Sequence, residues 1–267
     1  LLVLAAYGLQ SDLGRRLQTA LPIYVGGLFV WCVVLHGEMA RRRPAARHLT
    51  RFYLMLSLGG AMGGIAVGLL APMVLNAYYE LGIGLTLLAL VGLVLWRKHA
   101  LGISVCGLLV VCCAVFLGLQ MQENTSGARV MSRNFYGTLS TSDVIDSNPA
   151  ESVRQMYHGA VKHGEQFLAP ERRREATAYY GATSGVGLAI LSAQPGPRKV
   201  GLVGLGAGTL AVYGRPGDVY RVYEINPEVF ALADREFSFL ADAPARMLAP
   251  IAGLAVIGVD ATSVTAQ

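Results

Sequence analysis

Charged residues are scarce in this sequence, and their scarcity is uneven. Lys, Arg, Asp and Glu make up 15% of the 267 residues, whereas soluble domains carry about 25%. The mean hydropathy is +0.47, and almost all of the apolar excess lies before residue 122. This composition excludes an ordinary soluble domain for the first half. The net charge of +5 is modest, and the main basic run, residues 41–51, stands beside apolar segments. We therefore expect a membrane flank and no nucleic-acid partner.

Cysteine is also rare, and its placement excludes a thiolate metal site. The four cysteines, Cys32, Cys106, Cys112 and Cys113, all lie inside apolar runs and lack ligand spacing. They are interpreted as small buried hydrophobic residues. A second group of possible ligands, His158, His163 and Glu165, matches no strong ligand pattern. No metal is predicted.

Four apolar segments can cross a bilayer, whose core requires about 20 helical residues. Two of them have 20 residues each and two are shorter. Glycines in the second segment recur every four residues, at Gly59 and Gly63 and at Gly60, Gly64 and Gly68. That spacing predicts a helix face for close packing with another helix. The expected partner is the lipid bilayer, and the glycine face also allows a homo-oligomer. The segments are Leu21–Leu35, Phe52–Ala71, Leu81–Trp96 and Ala100–Leu119.

The membrane topology of these segments has two solutions. Residues 41–51 carry five arginines, and Arg97 and Lys98 follow the third segment. The positive-inside rule places both loops in the cytoplasm. If all four segments cross, residues 121–267 then lie on the opposite side, although a domain that uses a cytosolic nucleoside belongs inside. Either one segment is re-entrant, or a long translocated domain ignores the rule.

From residue 122 onward polar residues and prolines replace the long apolar runs. We predict a transmembrane region over 1–122, a β-rich subdomain with a connecting helix over 123–195, and a partial nucleoside-binding α/β domain over 196–267. Strand-type residues fill 129–170, and "MYHGAVKHGEQFLA" predicts two strands around Lys162–Gly164. A helix is predicted from Gly185.

The stretch "KVGLVGLGAGTLAVYGRPGDVYRVYEINP" predicts the start of a doubly wound α/β sheet of the Rossmann-like, methyltransferase type. Val200–Val203 has the continuous apolar character of a buried parallel strand. A turn containing Gly204, Gly206 and Gly208 follows, and Val219–Tyr223 is the second strand. Asn226 and Pro227 have the residue types of a helix N-cap and first turn. Ligands of such sheets bind at the carboxyl ends of the strands.

The spacing of the glycine turn favours a nucleoside without a pyrophosphate. The dinucleotide fingerprint is G-x-G-x-x-G, but here the third glycine, Gly208, comes one residue early. Glycines let the backbone pass close to a ribose and an amino-acid or aminopropyl tail. Glu224, at the end of the second strand, can accept hydrogen bonds from both ribose hydroxyls.

The order of the motifs "RNFYG", "YHGAVKHGEQ", "AYYGATSGVGLAI", "VGLVGLGAGTLA" and "YEINP" resembles the spermidine synthase (polyamine aminopropyltransferase) family. The similarity is to its bacterial membrane-fused branch and covers residues 30–240. It implies an integral membrane protein of the bacterial inner membrane that acts in polyamine biosynthesis. Decarboxylated S-adenosylmethionine would be the co-substrate, and a small-molecule amine would be the acceptor.

The resemblance also implies roles for particular residues. Gly204, Gly206 and Gly208 match the co-substrate turn, and Glu224 matches the acid that binds the ribose. Gln166 matches a co-substrate-binding glutamine of the preceding hairpin. Tyr179 and Tyr180 match the substrate-binding segment at the mouth of the active site. His163 and Gly164 stand where soluble members have Asp-Gly, a departure that bears on polyamine specificity.

The resemblance fades after Leu240. "LAVIGVDA" (254–261) is predicted as a third strand, with Asp260 a weak substitute for the aspartate that contacts adenine in the family. The catalytic aspartate of the family follows a fourth strand, so no catalytic residue is assigned. Because the sequence starts at Leu1 and ends early, we expect an incomplete and inactive chain whose residues 123–267 do not form a stable monomer alone. S-adenosylmethionine-dependent methyl transfer, or a non-catalytic membrane protein with a degenerate nucleoside module, are the alternatives.

Overall fold

The computed structural model describes residues 5–7, 16–193 and 195–252. The chain forms two compact units, residues 1–126 and residues 127–267. The division falls four residues beyond the predicted end of the transmembrane region. Both predicted soluble segments, 123–195 and 196–267, thus lie almost wholly in the second unit.

The first unit is helical, and its helices follow the predicted apolar segments. Three are long and apolar enough to cross a membrane, and Glu80–Leu95 is apolar but shorter. The second of the three contains a π-helical turn, Ala66–Leu70. Three of the four predicted segments therefore lie in helices with the length and apolar character that a membrane span requires. The helices are α1 (Leu17–Arg41), α2 (Leu49–Ile65), α3 (Ala71–Val74), α4 (Glu80–Leu95) and α5 (Ala100–Thr125).

Helices α4 and α5 pack against each other through small residues. A Cβ atom added to Gly82 of α4 would lie 2.9 Å from Leu117 Cδ1 of α5. Leu85, Ala89 and Cys113 form a buried cluster at the same interface. Because glycine and alanine let two backbones approach, these residues set the distance between the two helices.

Helix α2 carries the predicted glycine faces, but it contributes no buried residue. A Cβ atom added to Gly59, Gly60, Gly63 or Gly64 would meet no atom within 4 Å. Close packing at these glycines is therefore absent among the described residues. Within the span Ala46–Val74, only 6% of an apolar stretch of 18 residues is buried by the rest of the protein. Such exposure suits a surface covered by lipid.

The second unit begins with an antiparallel four-stranded sheet, which agrees with the prediction of a β-rich region over 129–170. The strands are β1 (Ala128–Asn134), β2 (Gly137–Val144), β3 (Val153–His158) and β4 (Val161–Phe167), paired in chain order. The predicted turn at Lys162–Gly164 is wrong. The chain reverses at Gly159, which has a φ of +58°, and residues 162–164 lie inside β4 because Gly159 supplies the left-handed conformation that a tight turn needs.

A three-stranded parallel sheet follows, in the order β5 (Lys199–Val203), β6 (Val219–Glu224) and β7 (Arg246–Ala252). Helix α6 (Gly185–Leu191) precedes β5, and α7 (Pro227–Glu236) connects β6 to the segment before β7. The predicted helix from Gly185 is confirmed. The predicted N-cap is also confirmed, because the Asn226 side chain accepts a hydrogen bond from the backbone amide of Glu228. The predicted strand 254–261, with Asp260, lies outside the described residues.

The two sheets of the second unit share one hydrophobic core. Leu139 and Met156 of the antiparallel sheet cluster with Leu202, Tyr220 and Val222 of the parallel sheet. A charged cluster reinforces the junction: Arg154 pairs with Asp143 on β2 at 2.8 Å and donates to the Glu236 carbonyl at the end of α7. The shared core holds the β-hairpin of β3 and β4 against the glycine turn.

Candidate functional site

The glycine turn between β5 and the next segment adopts a conformation that requires glycine. Gly204, Gly206 and Gly208 have φ values of +85°, +57° and +88°, in the left-handed region that other residues rarely occupy. A Cβ atom at Gly204 would meet nothing within 4 Å, whereas one at Gly206 would lie 2.7 Å from the carbonyl oxygen of His163. Gly206 thus serves the packing of β4 on the turn, and Gly204 borders open space.

Glu224 ends β6 with its carboxylate held in a fixed position. It is buried, with a relative exposure of 8%. One carboxylate oxygen accepts a hydrogen bond from the backbone amide of Leu205 in the glycine turn at 2.9 Å. The other accepts a hydrogen bond from the backbone amide of Asn226, also at 2.9 Å. Each oxygen keeps a lone pair for a further donor. The glycine turn and the acid at the end of β6 are therefore coupled directly.

A cavity of about 500 Å³ opens above this edge of the parallel sheet. It brings together five of the seven residues predicted to bind ligand. Two neighbours at its mouth are exposed apolar side chains, Val203 and Ile225. Its volume suits a nucleoside with a short tail. The predicted residues in its lining are Gly204, Gly206, Glu224, Tyr179 and Tyr180.

Two predicted ligand residues, Gln166 and Gly208, are absent from this lining. The Gln166 amide donates to the Arg173 carbonyl and to Ser238 Oγ, and it accepts from the Ser238 amide. Both amide hydrogens are used within the chain, so the role seen for Gln166 is to tie β4 to the segment after α7. Gly208 caps the 3₁₀ helix Thr209–Tyr213 and packs against Leu240.

The two predicted tyrosines lie side by side at the edge of the cavity. The ring centroids of Tyr179 and Tyr180 are 4.4 Å apart, and Tyr179 is 55% exposed. The backbone carbonyl of Tyr180 accepts the phenol of Tyr213 at 2.6 Å, which anchors the pair. Burial raises the pKa of Tyr180, so its phenol stays protonated at neutral pH.

Two histidines that were not among the predicted ligand residues also line the cavity. The rings of His158 on β3 and His163 on β4 are 5.6 Å apart. Burial, followed by the proximity of His158, lowers the pKa of His163, while Glu224 acts in the opposite direction. His163 is therefore neutral at pH 7. Proximity of the two rings could not be read from the sequence, because it depends on where the hairpin turns and how it packs.

Asn226 is a further cavity residue, and its amide orientation is defined by its neighbours. Its oxygen accepts the Glu228 amide at 3.1 Å and the Asn134 side-chain amide at 2.6 Å. The Asn134 oxygen in turn accepts the Tyr136 amide, so neither amide can be flipped. Asn226 Nδ2 is buried without a hydrogen-bond partner among the described residues. The sequence indicated only the N-cap role.

Within the described part of the chain, no group of three His, Cys, Asp or Glu side chains converges as a metal site would require. Comparisons of the chain with protein-family models, with curated proteins and with solved structures find no match. The geometry of the cavity and the motif order are therefore the basis for any functional conclusion.

Proposed function

We propose that the chain is a membrane-anchored protein that binds a sulfonium nucleoside of the S-adenosylmethionine type. By its resemblance to the spermidine synthase family, we propose that it transfers the aminopropyl group of the decarboxylated form to an amine. The setting that we propose is the bacterial inner membrane. The parallel sheet is proposed to be the first part of a Rossmann-like domain.

The observation that carries the proposal is the position of Glu224. It lies at the carboxyl end of a parallel strand, in the same cavity as Gly204 and Gly206. Its two oxygens are fixed by backbone amides on both sides. A preorganised carboxylate beside a glycine turn is the arrangement that recognises a ribose diol, because each hydroxyl can donate to one oxygen.

The chemistry that we propose is direct displacement. The lone pair of the amine attacks the carbon next to the sulfonium, the C–S bond breaks, and its electron pair stays on sulfur to give methylthioadenosine. The positive sulfonium makes this leaving group good. The protein therefore contributes mainly by holding the two reactants in line.

Binding of methylthioadenosine to the full chain in lipid nanodiscs, measured by calorimetry, tests the proposal. Glu224→Gln should weaken binding by one to two orders of magnitude, since a hydrogen bond to a charged group contributes about 1.5–3 kcal/mol. Glu228→Gln makes the same chemical change four residues away, outside the cavity lining, and should bind as the parent does. Thermal melts of both variants check that the cavity is still folded.

Equal binding by the parent and Glu224→Gln, with both folded, would contradict the proposal. Product analysis separates the alternatives. Methylthioadenosine formed from the decarboxylated donor supports aminopropyl transfer, and S-adenosylhomocysteine formed from S-adenosylmethionine supports methyl transfer. Nucleoside binding with neither product supports a non-catalytic module.

A further inference from the structure

We propose that His163 is the catalytic residue that accepts the proton of the attacking amine in this cavity, with His158 as its neighbouring imidazole. This assignment rests on the proposed function. It gives a role in proton transfer to a described residue of the chain, where the sequence had suggested none.

The first support is the irregular pairing of β3 with β4. Met156 pairs with Gly164 and Tyr157 pairs with Lys162, so His163 is an extra residue with no partner on β3. An extra residue of this kind is a β-bulge, which re-aims a side chain and is common beside active sites. The bulge explains why His163 lines the cavity although it lies within a strand.

The second support is the close contact of the bulge with the glycine turn. The carbonyl oxygen of His163 occupies the space next to Gly206, where a Cβ atom would come within 2.7 Å. A Cβ atom on Gly164 would lie 2.7 Å from the Cβ atom of Ala207. Glycines on both sides thus allow the contact, and the backbone of His163 is held against the turn that we propose binds the nucleoside.

The third support is the hydrogen bonding of the two rings. His158 Nε2 donates to the Tyr136 carbonyl at 2.9 Å, so this ring nitrogen already has a partner. The ring of His163 has no hydrogen bond to any described residue, so it is free to take a proton. Burial and His158 keep its pKa below the ordinary value.

The titratable groups that line the cavity with His163 come from several of the elements around it. They are Tyr136 between β1 and β2, His158 on β3, Glu224 on β6, and Tyr179 and Tyr180 in the 3₁₀ turn before α6. Protonated His163 is opposed by His158 and favoured by Glu224. A transferred proton therefore has a nearby carboxylate that stabilises it.

The proton balance of the step is simple. The amine acceptor first gives one proton to a ring nitrogen of His163, which becomes imidazolium, and the lone pair of the amine becomes available. The neutral amine then forms a C–N bond with the alkyl carbon of the sulfonium donor, and sulfur keeps the electron pair of the broken C–S bond. The product leaves as an ammonium ion, and His163 returns its proton to solvent. General-base transfer of this kind contributes about 10²–10⁴-fold to a rate.

The test compares turnover by the full chain and by His163→Gln in nanodiscs, with decarboxylated S-adenosylmethionine and putrescine, from pH 5 to pH 9. The variant keeps the backbone that contacts Gly206. At pH 7.5 it should be slower by about 10²–10⁴-fold, with the affinity for methylthioadenosine changed less than about threefold. His48→Gln, which removes a histidine of the first unit, should react as the parent does.

The ratio of the two rates cancels the ionisation of the amine, because both proteins use the same acceptor. This ratio should be constant at high pH and fall about tenfold per pH unit below the pKa of His163. Imidazole NMR titration should place that pKa below the ordinary histidine value of about 6.5, and His158→Gln should raise it.

Three results would overturn the assignment. They are a pH-independent rate ratio, a rate for His163→Gln within threefold of the parent, and a parent chain that binds methylthioadenosine but never turns over. A parent chain that fails to bind methylthioadenosine refutes the proposed function itself, and the assignment with it.

Discussion

At the scale of single residues, the three glycines of the turn share a backbone conformation but differ in their surroundings. All three have positive φ values. Gly204 borders open space, Gly206 is covered by the His163 carbonyl, and Gly208 touches Leu240. The motif therefore combines one glycine that borders open space with two packing glycines, and the sequence pattern alone does not separate these roles.

Alanine substitutions should separate the two kinds of glycine. Gly204→Ala should cost only the left-handed conformation, about 1–2 kcal/mol. Gly206→Ala adds a clash with a backbone carbonyl that cannot move freely, so it should destabilise the parallel sheet more. Hydrogen exchange of the β5 and β6 amides measures the loss of stability of the parallel sheet in each variant. Equal protection in the two variants would contradict the contact between β4 and the turn.

At the scale of elements, a buried ion pair joins the start of β5 to the start of β6. The Asp218 carboxylate accepts the backbone amides of Arg198 and Arg215 and the Arg198 guanidinium. Arg198 also donates to the carbonyls of Ile190 and Tyr213. One charged pair thus ties α6, the 3₁₀ helix and two strands together at the end opposite the cavity.

This pair should make the second unit sensitive to acid. The Arg198 guanidinium holds the pKa of Asp218 below its ordinary value. Because the folded-state pKa is depressed, the stabilisation is present above the unfolded pKa of about 4 and is lost as the pH falls below it. Asp218→Asn should remove this part of the pH dependence and lower stability at pH 7. Hydrogen exchange of β5 between pH 3 and pH 7 measures both effects.

The membrane helices offer a matched pair of glycine substitutions. Gly82→Leu should separate α4 from α5, because its Cβ atom would lie within 3 Å of Leu117. Gly63→Leu on α2 meets nothing within 4 Å and should leave the thermal stability of the monomer unchanged. Thermal unfolding in detergent distinguishes them. A loss of stability for Gly63→Leu that depends on protein concentration would instead reveal packing of α2 against a second copy.

At the scale of the whole molecule, the two units follow opposite rules of burial. The first exposes large apolar side chains along its helices, such as Leu28, Phe29 and Val94. The second encloses Tyr220, Leu232 and Phe239 almost completely. Water drives burial of apolar surface, whereas lipid does not. This contrast is the one expected for a unit suited to lipid followed by a unit suited to water.

Cysteine labelling should resolve the membrane topology of the first unit. In a background without native cysteines, a cysteine at Arg47 and one at Lys98 should react with an impermeant maleimide from the same side. A cysteine at Tyr78 should react from the other side, because the positive-inside rule places both basic loops together. If positions 78 and 98 react from the same side, the shorter helix Glu80–Leu95 is re-entrant.

Much of the architecture was predictable because it follows from local chemistry. Apolar length predicted the helices of the first unit, since a bilayer demands about 20 residues per crossing. A continuous apolar run followed by a glycine-rich turn predicted β5 and the strand after it, and the pair Asn226–Pro227 predicted the N-cap. The hairpin turn was misplaced because both Gly159 and Gly164 suit a turn, and only the pairing of Gly164 with Met156 shows that Gly164 lies inside β4, next to the bulge at His163.

By itself the sequence determined the membrane half, the β–α–β order of the second unit and the acid at the end of β6, because each depends on neighbours along the chain. Only the tertiary structure decided that Gln166 bonds within the protein, that Glu224 is clamped by two amides, and that His158 and His163 enter one cavity. These facts depend on contacts between segments distant in sequence, and such contacts form only when the two sheets of the second unit share one core.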